Sequence, residues 1–297
     1  MALCCLSESL AAQHMVSYWP QYRGVELPAV TGFTHLLYAF GEVDDTGGLL
    51  LSGDLSALLA MKTAARASGV RPGLLVGGWN NGDDRTITAA MTSPAGREKL
   101  ARSIAAVLLE HQLSAVEIDW EYPDSSEEGK QLVFFLAELK RQLHARDISI
   151  GLSVPALGVH ADIIPNAVFE HIDVLSVMAY DNVGGPHAGR DFFSDSLHYW
   201  LKRGARPSII AMGLPAYSRP SPQTFSALVE ENPLNAWRDT DGKSHWNGLP
   251  TIRWKVEKAR SYGVGLMLWE LGQDAEPPRS IVMEMMKEVG DGFSGER

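Results

Sequence analysis

The chain has 297 residues, 45% of them hydrophobic, and a formal net charge of −10. This length fits either two domains or one α/β barrel of about 250 residues. The acidic balance argues against nucleic acid or an anionic membrane surface as the main partner, because both bind basic patches. The two cysteines, Cys4 and Cys5, are adjacent and cannot cross-link a core, so we expect packing alone to hold the fold together.

The first fourteen residues do not resemble part of a folded domain. They lack a basic region, and Glu8 interrupts their apolar run, so they make a poor signal peptide. We expect residues 1–14 to be an extension that is either disordered or foreign to the natural protein, with Met15 as a candidate natural start. No apolar run reaches about 18 residues, so we expect no transmembrane helix.

Eight short β-rich segments recur along the rest of the chain, most of them followed by a helical pattern. The predicted strands are 15–19, 34–40, 71–78, 115–121, 148–155, 173–180, 208–215 and 263–270. The predicted helices are 54–67, 95–110, 126–146, 194–203, 249–262 and 278–289. Strands that alternate with helices indicate βα units and a parallel sheet.

The number of these units selects the fold within the α/β class. Eight strands over about 255 residues favour a closed (β/α)8 TIM barrel over an open doubly wound sheet. No GxGxxG follows the first strand, which weakens a dinucleotide-binding alternative. We predict one catalytic barrel over residues 15–290 and a tail over 291–297, because no repeat, charge block or flexible linker divides the chain.

The segment AVEIDWE at 115–121 carries the first functional signal. Val116, Ile118 and Trp120 alternate with three acidic residues, which is the pattern of a strand with one apolar face. In a barrel the apolar face lies under the helices. The acidic face then points inward and climbs toward the C-terminal rim, where such barrels hold their active sites. Its members are Glu117, Asp119 and Glu121.

Three ionised carboxylates in such a row would repel one another. Side chains on one face of a strand rise about 6.6 Å per two residues, and at an effective dielectric of about 20 two charges at that distance repel by about 2.5 kcal/mol. We therefore expect at least one carboxyl to be protonated with a raised pKa. A carboxylic acid beside a carboxylate is typical of general acid catalysis. The alternative is a row neutralised by inward Lys or Arg, but no other predicted strand supplies an obvious cationic row.

The run EIDWEYP at 117–123 resembles the signature of glycoside hydrolase family 18, the chitinase-like barrels, whose usual form is D-G-x-D-x-D-W-E-Y-P. Six further matches stand in order at predicted strand ends. They are SYW at 17–19, YAF at 38–40, GGW at 77–79, MAYD at 178–181, GLPAYSR at 213–219 and LMLWELGQD at 266–274. Each short match is weak alone, but seven in order over residues 15–274 make the resemblance strong.

The resemblance implies a role for each matching residue. Glu121 would be the general acid, and Asp119 would turn toward it and toward the N-acetyl group of the substrate. Glu117 would be the inner member of the carboxylate row, supported by Tyr18. Tyr180 would hydrogen-bond the acetamide carbonyl.

The remaining implied roles concern substrate binding. Asp181 would contact the distorted sugar, Trp269 would form the apolar floor beneath it, and Trp79 would stack on the leaving side. The further expected cleft residues are Tyr217, Arg219 and Phe40. Non-proline cis peptide bonds are implied at Ala39–Phe40, Glu121–Tyr122 and Trp269–Glu270.

The implied activity is hydrolysis of the β-1,4 bonds of chitin or chitooligosaccharides with retention of configuration. The substrate's own acetamide would act as nucleophile, so no cofactor or metal is expected. The segment between the last two strands is too short for a large insertion domain, which favours a shallow cleft and endo action. Two alternatives stay open: an endo-β-N-acetylglucosaminidase or peptidoglycan-directed hydrolase, and a sugar-binding protein without turnover. We expect a monomer that acts on a secreted or extracellular target.

The chain departs from the family pattern at three linked positions. Ser114 and Ala115 replace the first Asp-Gly of the signature, Glu117 replaces its inner Asp, and Leu75 occupies a position where a Ser usually helps to hold that Asp. We expect Glu117 to find another partner, with Tyr18 as the candidate. The departures also leave the sharing of the proton, and therefore the pH optimum, open.

Overall fold

The computed structural model describes residues 13–51 and 55–290. The cysteines, most of the predicted N-terminal extension and the predicted tail lie outside these residues. Nine strands are present in the described part of the chain. They are β1 (Met15–Pro20), β2 (His35–Val43), β3 (Leu49–Leu50), β4 (Arg71–Gly77), β5 (Ala115–Asp119), β6 (Ser149–Pro155), β7 (Val174–Met178), β8 (Ile210–Pro215) and β9 (Gly265–Trp269).

Nine α-helices lie in the same part of the chain. They are α1 (Ser56–Ala67), α2 (Arg85–Met91), α3 (Pro94–Glu110), α4 (Ser126–Leu143), α5 (Val159–Ile163), α6 (Arg190–Lys202), α7 (Phe225–Glu231), α8 (Leu249–Tyr262) and α9 (Ile281–Gly290). Hydroxyl caps set two of the helix starts, because Ser93 accepts from the Gly96 amide at α3 and Ser125 accepts from the Glu128 amide at α4.

The predicted TIM barrel is confirmed. All strands except β3 pair in parallel in the order β1-β9-β8-β7-β6-β5-β4-β2, and β1 also pairs with β2, which closes the ring. The short β3 pairs antiparallel with β2 as a hairpin outside the barrel. Only α7, a short 3₁₀ turn and α8 lie between the last two barrel strands, β8 and β9. The expectation of no large insertion there is therefore correct.

Two apolar cores follow from the alternation of side chains along each strand. The inner one fills the barrel and includes Val16, Leu37, Leu75, Ala211 and Met267. The larger outer core lies between the strands and the helices. Within the barrel, the buried acidic residues Glu117 and Asp119 belong to β5.

Several element boundaries differ from the sequence-based prediction. Strand β5 ends at Asp119, so Glu121 lies just beyond it at the rim. Helix α4 ends at Leu143 rather than at 146, and α6 begins at Arg190 rather than at 194. The helices α2, α5 and α7 and the hairpin strand β3 were not predicted. Each of these elements is at most seven residues long, too short to show a clear hydrophobic period.

Candidate active site

The C-terminal ends of the barrel strands surround one open cleft of about 1360 Å³. Ten of the eleven predicted site residues line this cleft, and the eleventh, Glu117, lies buried beneath it. The ten are Tyr18, Phe40, Trp79, Asp119, Glu121, Tyr180, Asp181, Tyr217, Arg219 and Trp269. They come from seven different strand ends, which is where (β/α)8 barrels place their chemistry.

The strand β5 presents its two faces as its alternation predicts. Val116, Ile118 and Trp120 are buried in the outer core, and the Trp120 indole N–H donates to Asp84 Oδ2 at 2.9 Å. Glu117 and Asp119 face the barrel interior, and Glu121 follows at the rim. The peptide bonds Ala39–Phe40, Glu121–Tyr122 and Trp269–Glu270 are all cis, as predicted.

Glu117 is held by hydroxyl groups from three other strands. Tyr18 Oη on β1 and Ser153 Oγ on β6 each donate to Glu117 Oε1 at 2.7 Å. Ser176 Oγ on β7 donates to Glu117 Oε2 at 2.9 Å. The expected contact with Tyr18 is therefore confirmed, and the two serines replace the support that is lost at Leu75. Burial raises the pKa of Glu117, while these hydrogen bonds oppose the increase.

Asp119 and Glu121 form an electrostatic pair at the base of the cleft. Burial raises the pKa of Asp119 well above its ordinary value, and the Glu121 and Glu117 carboxylates raise it further. Its Oδ1 is buried without a hydrogen-bond partner among the described residues. The pKa of Glu121 is raised to about 7, mainly by burial. The Tyr122 hydroxyl lowers this pKa, and the Asp181 carboxylate raises it. A protonated acid at neutral pH is suited to proton donation.

Asp181 is fixed at the opposite side of the cleft. Tyr217 Oη donates to its Oδ2 at 2.9 Å, and Arg219 Nε donates to its Oδ1 at 3.0 Å. The buried His187 places Nδ1 at 3.4 Å from the same Oδ1. Burial opposes ionisation of Asp181, but His187, Arg219 and Tyr217 together lower its pKa to about 2. Asp181 is therefore an ionised and oriented hydrogen-bond acceptor above that pH.

Aromatic side chains give the cleft its apolar floor and rim. The Trp269 ring lies 5.1 Å from the Tyr18 ring and 5.8 Å from the Phe40 ring, centroid to centroid. Trp79 stands at the rim with 57% of its surface exposed, so it is available for stacking rather than used as core. The Tyr180 hydroxyl contacts only the Met267 sulfur, at 3.9 Å, among the described residues. It therefore remains able to hydrogen-bond a ligand.

Several residues of the site were not predicted from the sequence. Ser153 and Ser176 were detectable in principle, since each is a hydroxyl at an inward position of an otherwise apolar strand. His187 lies in the loop after β7, and His160 stacks on Tyr122 with ring centroids 5.0 Å apart. Neither histidine follows a strand period, so no sequence pattern marked them.

Three further residues of the loops around the barrel have structural or surface positions. Trp246 is buried, and its indole N–H donates to the Asn235 carbonyl, so it packs the loop before α8. Trp237 is 52% exposed and does not line the cleft. Asp274 accepts from the Ile281 and Val282 amides at the start of α9, so its role is structural.

The described residues contain no group of three or more His, Cys, Asp or Glu side chains that could hold a metal ion. In the same part of the chain, no helix is long and apolar enough to cross a membrane.

Comparison with known proteins identifies the family. The family model described as "Glycosyl hydrolases family 18" matches residues 14–274, so the chain belongs to that family. A curated relative, "Probable chitinase 2" of Drosophila melanogaster, is 26% identical, with 72% of this chain and 51% of that protein covered. The chain spans between 10% and 57% of the length of the first three curated relatives it matches.

Solved structures share the fold over nearly the whole chain. A chitinase from Bacteroides thetaiotaomicron superposes with a TM-score of 0.83 at 20% identity, covering 97% of this chain and 99% of that one. A mutant class V chitinase from Nicotiana tobaccum, solved in complex with NAG4, superposes with a TM-score of 0.82 at 16% identity, covering 94% and 99%. These structural similarities show that the chain has the same barrel fold.

Proposed function

We propose that this protein hydrolyses β-1,4 bonds between N-acetylglucosamine units of chitin or chitooligosaccharides, with retention of configuration. The observation that carries the proposal is the buried Glu121 at the rim of the cleft. Its pKa of about 7 keeps a proton available at neutral pH, and Asp119, the last residue of β5, lies two residues before it. Family membership supports a glycosidase, and the site supports the acetamido-sugar substrate.

The arrangement of carboxyl groups favours substrate-assisted catalysis. Asp119 ends β5 and Glu121 follows two residues later at the same strand end, so we infer that they do not flank a glycosidic bond as the acid and nucleophile of a two-carboxylate enzyme would. The substrate's acetamide oxygen therefore supplies the nucleophile. Asp119 Oδ1, which has no partner among the described residues, is available to the acetamide N–H and stabilises the positive charge that develops there.

The reaction then proceeds in two balanced steps. In the first, Glu121 donates its proton to the leaving oxygen while the acetamide oxygen bonds to the anomeric carbon, which yields an oxazolinium ion and the shortened chain. In the second, water attacks the anomeric carbon from the face that the leaving group vacated, and its proton passes to Glu121. The bond to the acetamide oxygen breaks, and two displacements at one carbon retain its configuration.

The other cleft residues orient the sugar during these steps. Trp269 offers an apolar surface beneath the sugar ring, and the exposed Trp79 offers a second one toward the leaving side. The Tyr180 hydroxyl is placed to hydrogen-bond the acetamide carbonyl, and the ionised Asp181 accepts from sugar hydroxyls. Between β8 and β9 lie only α7, a 3₁₀ turn and α8, with no insertion domain to wall the cleft, so we infer an open groove that admits internal bonds of a polymer. Endo action by a monomer on a secreted or extracellular substrate follows as part of the proposal.

The test is a product analysis on chitooligosaccharides from the dimer to the hexamer, with cello-oligosaccharides and fully deacetylated glucosamine oligomers as matched controls. We expect internal cleavage of the acetylated series, β-anomeric initial products by NMR, and no cleavage of either control series. Turnover of cello-oligosaccharides would contradict the substrate-assisted mechanism. A glycoprotein glycan and peptidoglycan are assayed in parallel. Faster cleavage of either one than of the chitooligosaccharides would show that it, and not chitin, is the substrate. Binding of the oligomers without turnover would make the protein a sugar-binding member of the family.

A further inference from the structure

The carboxylate of Glu117 lies in a site that is built from neutral hydrogen-bond donors. It accepts from three hydroxyl groups, those of Tyr18, Ser153 and Ser176, at 2.7 to 2.9 Å. These three donors come from three different strands and occupy both carboxylate oxygens. No Lys or Arg of the described residues forms an ion pair with Glu117, although its side chain is only 2% exposed.

The neighbouring strand is shaped for a glutamate at this position. Gly151 on β6 is the register partner of Glu117. A Cβ atom at Gly151 would lie 2.8 Å from Glu117 Oε2 and 3.0 Å from its Cγ, so any side chain there would collide with the glutamate. The missing side chain lets Glu117 extend across β6 to Ser176 on β7. An aspartate, which is one methylene shorter, would not reach that hydroxyl.

We propose that Ser153 and Ser176 are positioning residues that, together with Tyr18, hold Glu117 as an ionised carboxylate at neutral pH although it is buried. In this arrangement Glu117 does not share the proton of the carboxyl cluster, which stays on Asp119 and Glu121. The consequence for catalysis rests on the proposed function, whereas the ionisation of Glu117 does not.

Hydrogen-bond chemistry favours the ionised form. A carboxylate only accepts, and three hydroxyl donors directed at two oxygens satisfy it, whereas a protonated carboxyl would have to turn one of these hydroxyls into an acceptor. Such donors stabilise a buried carboxylate without neutralising its charge. The negative charge of Glu117 therefore acts on Asp119. Burial raises the pKa of Asp119 most, and the Glu121 and Glu117 carboxylates raise it further. Ser153 lowers this pKa by a smaller amount. Asp119 Oδ1 has no hydrogen-bond partner among the described residues, so this atom forms no hydrogen bond with Glu117.

The kinetic test removes two of the three donors with a Ser153→Ala/Ser176→Ala variant. With one donor left, Glu117 takes up a proton and its charge no longer raises the pKa of Asp119, an effect larger than the loss of the Ser153 contribution that lowers this pKa. Asp119 and Glu121 titrate as a coupled pair, so the change reaches the general acid. Because the general acid must be protonated, we expect the basic limb of the pH profile of kcat/KM to move down by about one pH unit. The matched control is Ser196→Ala, which deletes a buried hydroxyl that bonds the Phe192 carbonyl in α6, and its limb should not move. If the Ser153→Ala/Ser176→Ala variant folds and the basic limb of its kcat/KM profile stays at the wild-type pH, the proposal is wrong.

The direct test measures ionisation and needs no turnover. Infrared difference spectra between the wild type and Glu117→Gln at pH 6 should contain the antisymmetric stretch of a carboxylate and lack the C=O stretch of a protonated acid. In the Ser153→Ala/Ser176→Ala background the same difference should show the protonated form. A protonated Glu117 in the wild type would overturn the proposal. If the double variant does not fold, Ser176→Ala replaces it, since that change leaves both donors to Oε1 in place. If the wild type cleaves no acetylated oligomer, the proposed function fails, while the spectra still decide the state of Glu117.

Discussion

At the scale of single residues, the proposed hydrolysis depends on the proton that Glu121 donates to the leaving oxygen. Glu121→Gln keeps the size and polarity of the side chain but removes the proton that the leaving oxygen needs. We expect hydrolysis of chitotetraose to fall by at least about 10²- to 10⁴-fold, the range of general acid catalysis. Binding of the same oligomer, measured by calorimetry, should change little. A variant that keeps more than a tenth of the activity would show that another group donates the proton.

A second residue-scale prediction concerns pH. The active form of Glu121 is the protonated one, and its pKa is about 7. The rate should therefore fall about tenfold per pH unit above this value, because the fraction of protonated acid falls in that way. A pH–rate profile on a soluble chitooligosaccharide checks this expectation. A basic limb near the ordinary glutamate pKa, below pH 5, would mean that the burial of Glu121 does not persist in solution.

At the scale of elements, helix α8 carries a buried lysine on the side that packs against the rest of the protein. Lys255 is fully buried, donates to Asn247 Oδ1 at 2.7 Å, and lies 5.0 Å above the Phe193 ring of α6. Burial lowers its pKa to about 7. Asn247 in turn donates to the Ala188 carbonyl, next to His187 in the cleft, so the lysine helps to orient a loop of the site.

The lowered pKa of Lys255 makes the stability of the protein depend on pH. Between pH 7 and 10.5 the unfolded lysine binds a proton that the folded one does not, so unfolding becomes harder as pH rises through this window. The free energy of unfolding of the wild type relative to Lys255→Met should therefore rise by on the order of 3 kcal/mol from pH 7 to pH 10.5. Urea unfolding at the two pH values measures this difference. The exposed Lys202→Met serves as control, and an equal change in both variants would refute the prediction.

At the scale of the whole molecule, an ion pair lies at the seam where the barrel closes. Strands β1 and β9 meet there, and Arg23, after β1, donates from Nε to the buried Glu270 Oε1 at 2.8 Å. Glu270 Oε2 accepts from the Gly272 amide at 2.8 Å. The pair joins the first and last strands of the ring, so its loss should affect the cooperative stability of the entire barrel.

The corresponding prediction compares a single and a double variant. Arg23→Met leaves a buried carboxylate unpaired and should lower the free energy of unfolding by about 3 kcal/mol. Arg23→Met combined with Glu270→Gln removes that charge and should recover part of the loss. Arg85→Met, which breaks an exposed pair with Asp83, should cost less than about 1 kcal/mol. If chemical denaturation gives equal costs for Arg23→Met and Arg85→Met, the seam pair contributes no more than a surface pair.

The amino-acid sequence was sufficient to predict the fold class and the position of the site along the chain. Eight predicted strands, most of them followed by a helix, specify a barrel, because each apolar period is local and the order of the elements leaves few topologies. The alternation around Glu117, Asp119 and Glu121 assigned these residues to the inner face, and β5 follows it. Ten of the predicted residues line one cleft because parallel barrel strands bring all their C-terminal ends to one rim.

The groups that support these residues became visible only in the folded barrel. Ser153 and Ser176 reach Glu117 through the register of β5, β6 and β7, and Gly151 leaves the space for that reach. His187 meets Asp181 through a loop without a period. The raised pKa of Glu121 arises from burial, which no local pattern encodes. Such contacts depend on distances between segments far apart in the chain, and these distances are set only when the barrel closes.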